Sequence, residues 1–107
     1  INEFLQYLQY EKNYSSHTVL SYHNDLIQFC DFMQQKPEEF RADAVESTHL
    51  QQWVLLLMSE GLKAASVSRK ISTLKSFWRF LLRRGYAVSN PVSGVLLPKS
   101  VKSLPSF

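Results

Sequence analysis

Residues 64–84 read AASVSRKISTLKSFWRFLLRR, and Gly85 follows. Val67, Ile71, Leu74, Trp78 and Leu81 recur here at helical spacing, whereas a strand would alternate apolar and polar residues. The spacing predicts an amphipathic helix from Ala64 to Arg84, closed by Gly85, the residue type that takes the left-handed C′ conformation at least cost. Its outer face then carries Arg69, Ser72, Thr73, Ser76, Arg79 and Arg83 within an arc of about 120° opposite Trp78, a basic and hydroxyl strip roughly 20 Å long. Phe80 falls near Arg69 in angle, away from the apolar stripe. Either another helix covers it, the first helix being the favoured candidate, or it meets a partner protein.

The same period recurs along most of the chain, and no alternating segment is long enough for a strand. A first helix over about Ile1–Lys12 presents Ile1, Phe4, Leu5 and Leu8. Ser15 caps a second helix, from Ser16 to about Gln35, whose stripe is Val19, Tyr22, Leu26, Phe29, Phe32 and Met33. Ser16, His17, Ser21, Asn24, Asp25 and Gln28 are placed outside that stripe, and Lys36-Pro37 ends the helix. Glu38–Glu46 forms a charged connection with room for a short helical turn. Thr48 with Gln51 suggests a capping box for a third helix, which turns Leu50, Trp53, Val54 and Leu57 inward and ends at Gly61. Asn90-Pro91 marks a turn before the apolar piece Val92–Leu97. The expectation is an all-α, orthogonal bundle of four to five helices, with a domain over 1–97 and a linker from 98 to 107.

The charge is divided along the chain. All nine carboxylates lie at or before Glu60, with three of the twelve Lys and Arg residues, so the first sixty residues sum to about −6 and the last forty-seven to about +9. A basic segment without carboxylates points to a polyanionic partner. On the predicted fourth helix, Arg suits bidentate reading of guanine, and Ser and Thr suit phosphates or base edges. Lys70 and Lys75 join this helix's candidate DNA-contacting residues. A solvated face is the plainer alternative, but such faces usually mix signs to gain (i, i+4) pairs. Ser15, Ser16, His17 and Thr18, at a positive helix end, form a second candidate for phosphate contact, with plain capping as the simpler reading.

Composition excludes several classes. At 107 residues and 45% hydrophobic, the chain has material for one core. A lone cysteine, Cys30, excludes an internal disulfide and fits a reducing, cytoplasmic setting as a packing residue. The apolar run Val54–Met58, even with Trp53 before it, is far short of the ~20 residues of a membrane span. The three histidines lack ligand spacing, so no metal is expected. No Gly-rich phosphate loop and no nucleophile-and-base pairing is recognisable, so the expectation is a non-catalytic fragment that needs no cofactor.

Four ordered patterns carry a resemblance. Ser15-x-x-Thr18-x-x-x-Tyr22-x-x-Asp25-Leu26-x-x-Phe29 comes first, then Ser66-x-x-Arg69-x-Ile71-Ser72-x-Leu74-Lys75-x-Phe77-Trp78-x-Phe80-Leu81. Asn90-Pro91 and Leu97-Pro98-Lys99 follow. Together they resemble the amino-terminal, core-binding domain of tyrosine recombinases, in the Xer-type and phage-integrase branch. The resemblance implies a SAM-like bundle whose second and fourth helices face duplex DNA, as one half of a clamp. It implies DNA contacts from Ser15, Thr18 and Tyr22, from Ser66, Arg69, Ser72 and Lys75, and from Lys99 in the linker, and it makes Leu104-Pro105 the end of that linker. Strand cleavage by a tyrosine nucleophile then belongs to a carboxy-terminal domain, so Tyr7, Tyr10, Tyr14, Tyr22 and Tyr86 are not its candidates. No metal or nucleotide cofactor is implied, and four protomers act on two duplexes, with the first helix available to a neighbour. Lys63 departs from the small polar cap usual at the start of the fourth helix. A free-standing helical DNA-binding regulator and a protein-interaction bundle with an acidic partner remain the alternatives.

Overall fold

Four helices, α1 (Asn2–Tyr10), α2 (Ser16–Phe32), α3 (Ser47–Ser59) and α4 (Ala64–Arg84), build the structure, a computed structural model that describes residues 1–98. Three short 3₁₀ turns, Pro37–Glu39, Ala42–Ala44 and Pro91–Gly94, complete it, and no strand occurs among the described residues. The all-α expectation is met. No helix among these residues is long and apolar enough to cross a membrane. Lys99 and the Leu104-Pro105 pair lie outside the described residues.

The central element is α4, which packs against α2, α3 and the Pro91–Gly94 turn. Its whole inner stripe of Val67, Ile71, Leu74, Trp78 and Leu81 is buried, and so are Phe77 and Phe80. Phe77 and Trp78 join the layers through edge-on rings: Phe4 of α1 lies 5.2 Å from Phe77, and Phe29 of α2 lies 6.4 Å from Trp78 and 5.1 Å from Trp53 of α3. Such T-shaped pairs add to the burial of large rings. Phe40, in the charged connection, is half-buried against both Phe77 and Trp78, and Val45 beside it is buried.

Helix ends follow local chemistry and correct several expected boundaries. Gly85 closes α4 with φ +80, and Gly61 follows α3 with φ +93, both in the left-handed region as expected. α1 stops at Tyr10 rather than Lys12, and Asn13 takes φ 56 in the turn that follows. α2 stops at Phe32, before Lys36-Pro37, as Gln34 turns left-handed at φ 58. Ser15 caps α2, its Oγ accepting the Thr18 N–H at 3.2 Å. The cap of α3 is not Thr48 with Gln51. It is Glu46, whose N–H donates to His49 Nδ1 at 2.9 Å.

Gln51 instead holds the segment after α4. Its amide donates to the Leu96 carbonyl at 3.1 Å and accepts the Leu96 N–H at 2.9 Å, and Ser47 Oγ donates to the Pro91 carbonyl at 2.6 Å. Residues 91–97 are thereby tied along α3. Lys63 is the N-cap of α4 and makes no side-chain cap. Lys63→Ser is expected to raise the unfolding free energy by about 1 kcal/mol in urea titrations, because serine would accept an unpaired first-turn N–H; an unchanged midpoint would contradict this.

Candidate nucleic-acid interface

The outward strip of α4 differs in detail from the expected one. Arg69, Ser72, Lys75, Arg79 and Arg83 are exposed, and Ser66 and Ser76 are half-buried. Thr73 and Lys70 are buried, at 3% and 7% exposure, and so do not belong to the surface. At about 100° per residue, Thr73 lies between Phe80 and Phe77, and Lys70 between Phe77 and Leu81, both inside the apolar arc. The exposed strip is therefore turned by roughly 40° toward Lys75. Phe80 is covered by α1, as favoured, with the Tyr7 and Phe4 rings 5.0 and 5.3 Å away.

Asp25 explains why two polar residues sit in that arc. It was expected on the outer face of α2, yet it is 1% exposed. Around the α2 circumference it falls between Phe32 and Phe29, so the spacing itself directs it inward. Its carboxylate accepts from Arg69 at 2.6 and 3.2 Å, from Lys70 Nζ at 3.0 Å and from Thr73 Oγ1 at 2.9 Å. Lys70 also donates to Gln28 Oε1 at 2.6 Å. No buried side-chain polar atom among the described residues is left without a partner. A carboxylate thus does face α4, and it bonds two of the helix's cations. Arg69, with its side chain about half exposed, is held at the rim of the strip.

A second device sorts charge at the other end of α4. Arg84 bonds Glu3 of α1 at 3.1 Å and Glu11, just past its end, at 3.3 Å, with its guanidinium carbon 4.8 Å above the Phe80 ring. Tyr86 donates to Glu3 at 2.9 Å, and that carboxylate pushes the phenol pKa up. Among the described residues Lys75, Arg79 and Arg83 form no salt bridge. The uncompensated positive charge of α4 is concentrated on these three, flanked by Ser72 and Ser76.

At the start of α2, Ser16 and His17 are exposed. The Ser15 hydroxyl pairs with Thr18 Oγ1 at 3.0 Å, so these two side chains serve the cap. Tyr22 is half-buried, 5.9 Å from the Tyr14 ring. It shares a cleft with Ser76, Arg79 and Arg83, where the α2 and α4 candidates meet. Lys12 and Tyr14 line the same cleft, and nothing in the periodicity marks them, because they lie in the turn after α1. Burial pushes the Cys30 thiol up to about 11, which leaves little thiolate at neutral pH. No metal-ligating cluster occurs among the described residues.

A helical module with a cationic strip on its longest helix is the class that fold and surface define. The chain belongs to the phage integrase N-terminal SAM-like domain family, which matches residues 1–85. It is 41% identical over its full length to the tyrosine recombinase XerC of Halalkalibacterium halodurans and 44% identical to that of Oceanobacillus iheyensis, covering 35% of each. The tyrosine recombinase XerC of Staphylococcus epidermidis is 38% identical over 97% of the chain and 34% of the relative. The chain thus spans about a third of the length of these relatives. No solved structure gives a significant match.

Proposed function

We propose that this chain is the duplex-DNA-binding module of a site-specific tyrosine recombinase. It would hold DNA while strand cleavage and rejoining proceed in another part of the protein, in the cytoplasm, with further protomers on paired sites. The observation that carries the reading is the strip of Lys75, Arg79 and Arg83 with Ser72 and Ser76, without carboxylate partners among the described residues, on a family module whose relatives are named recombinases. A helix with such a face fits the major groove, where cations neutralise phosphates and Arg and Ser reach base edges. Ser66, Ser16, His17 and Lys99 stay within the proposed contact set. Burial argues against Lys70 and Thr73 as direct contacts, and Ser15, Thr18 and Tyr22 combine structural roles with it.

The test is duplex binding across a salt series. Arg79→Ala is expected to weaken binding about fivefold near 0.15 M salt and to lower the log–log salt slope by about 0.9, the signature of one lost phosphate contact. Arg41→Ala, which removes a cation already paired with Asp43 at 3.2 Å, should leave the slope unchanged. Unaltered affinity and slope in both Arg79→Ala and Lys75→Ala would refute the strip assignment.

A further inference from the structure

We infer that the cleft between the α1–α2 turn and the second half of α4 seats one phosphate group of the duplex backbone. This inference rests on the DNA-binding reading above and extends it from Ser76, Arg79 and Arg83 of the strip to Lys12 and Tyr14 of the α1–α2 turn. The cleft holds about 110 Å³. That is well above the roughly 10–15 Å³ one water needs, so the space admits a small oxyanion such as a single phosphate group.

Its chemistry is one-sided. Lys12 and Tyr14 from the turn, Tyr22 from α2, and Ser76, Arg79 and Arg83 from α4 line it, over an apolar floor that includes Phe4 and Phe80, and no carboxylate is among the lining residues. Arg83 donates to the Tyr7 hydroxyl oxygen at 3.3 Å, so the Tyr7 proton is available to donate elsewhere. The three cations repel one another until an anion enters, and hydrogen bonds from them and from the neighbouring hydroxyls to an ionised oxygen are the stronger kind. Glu3 of α1 and Glu11, just past its end, are both held by Arg84. Lys12, although it follows Glu11 directly, forms no salt bridge among the described residues. Arg79 belongs both to the exposed strip and to the cleft, so a backbone that follows the strip reaches the cleft at its end.

Two measurements on the 107-residue chain test this. In the first, inorganic phosphate is titrated at constant ionic strength, with chloride as control, while NMR follows the Tyr14 and Tyr22 rings and the Ser76 amide. Saturable shifts with phosphate only, lost in the Lys12→Ala/Arg83→Gln double variant, are expected. In the second, duplex binding is measured against salt for Lys12→Ala, where about a fivefold loss near 0.15 M and a slope reduced by about 0.9 are expected. If Arg79→Ala weakens DNA binding while Lys12→Ala changes neither affinity nor slope, the cleft assignment is overturned and the DNA reading stands. If phosphate shifts the cleft residues but the wild-type chain binds no duplex, the seat takes free phosphate, and the backbone source proposed here is wrong along with the DNA reading. Absence of any phosphate-specific shift would also overturn the seat.

Discussion

Asp25→Ala is expected to lower the unfolding free energy by about 3–5 kcal/mol, the cost of breaking a buried ion pair from one side. In a domain whose total stability is of the order of 5–15 kcal/mol, that removes a large share, and the thermal midpoint should fall by at least about 12 °C. The reason is geometric. Asp25 is 1% exposed, and Lys70 is nearly as buried, so the ammonium left behind retains only Gln28 as a partner. Arg69 suffers less, because its half-exposed guanidinium can turn to water. The loss therefore comes mainly from Lys70 and Thr73, and a rescue distinguishes this from a simple cavity. Asp25→Leu combined with Lys70→Met and Thr73→Val should recover most of the stability, since a buried polar set replaced as a whole by apolar groups of similar size is often neutral or better. Urea titration of the single and triple variants checks both statements. A loss below about 1 kcal/mol in Asp25→Ala would show that the cluster does not hold α2 to α4.

The cluster also marks where sequence reasoning stopped. The four helices, the Gly85 and Gly61 ends, the Ser15 cap and the cover of Phe80 by α1 were all legible, because each rests on spacing or on one residue's local conformational preference. Polarity alone puts Asp25 and Thr73 on outer faces and Lys70 among the DNA contacts, although all three lie inside the apolar arcs of their own helices. Period outranked polarity here: three inward polar residues on two helices could satisfy one another, a long-range match no local pattern displays. Gln51 was misread for a similar reason, because its partner, the Leu96 backbone, lies 45 residues on. Lys12 and Tyr14 were missed because a turn has no period. The strip itself was nearly right in membership and wrong in centre, since Phe77 and Phe80 widen the buried arc of α4 on one side only.

Phe4→Ala is expected to cost about 3–5 kcal/mol and to release α1 first. α1 has only nine residues, fewer than an isolated helix needs to persist in water, so tertiary contacts hold it. Those contacts are of two kinds. Arg84 with Glu3 and Glu11 supplies exposed ion pairs, each worth under about 1 kcal/mol. Phe4, 1% exposed and within 5.2–5.3 Å of the Phe77 and Phe80 rings, supplies the larger apolar term together with Leu8. Removing it should raise amide exchange over α1 well before that of α4, whereas Glu3→Gln should leave the order of exchange unchanged. Because Lys12 and Tyr14 follow α1 directly, the same variant should lose the phosphate-dependent shifts of the cleft while Arg79 and Lys75 still bind duplex. A variant that kept α1 protected against exchange would show that the ion pairs, and not the aromatic contact, hold the helix in place.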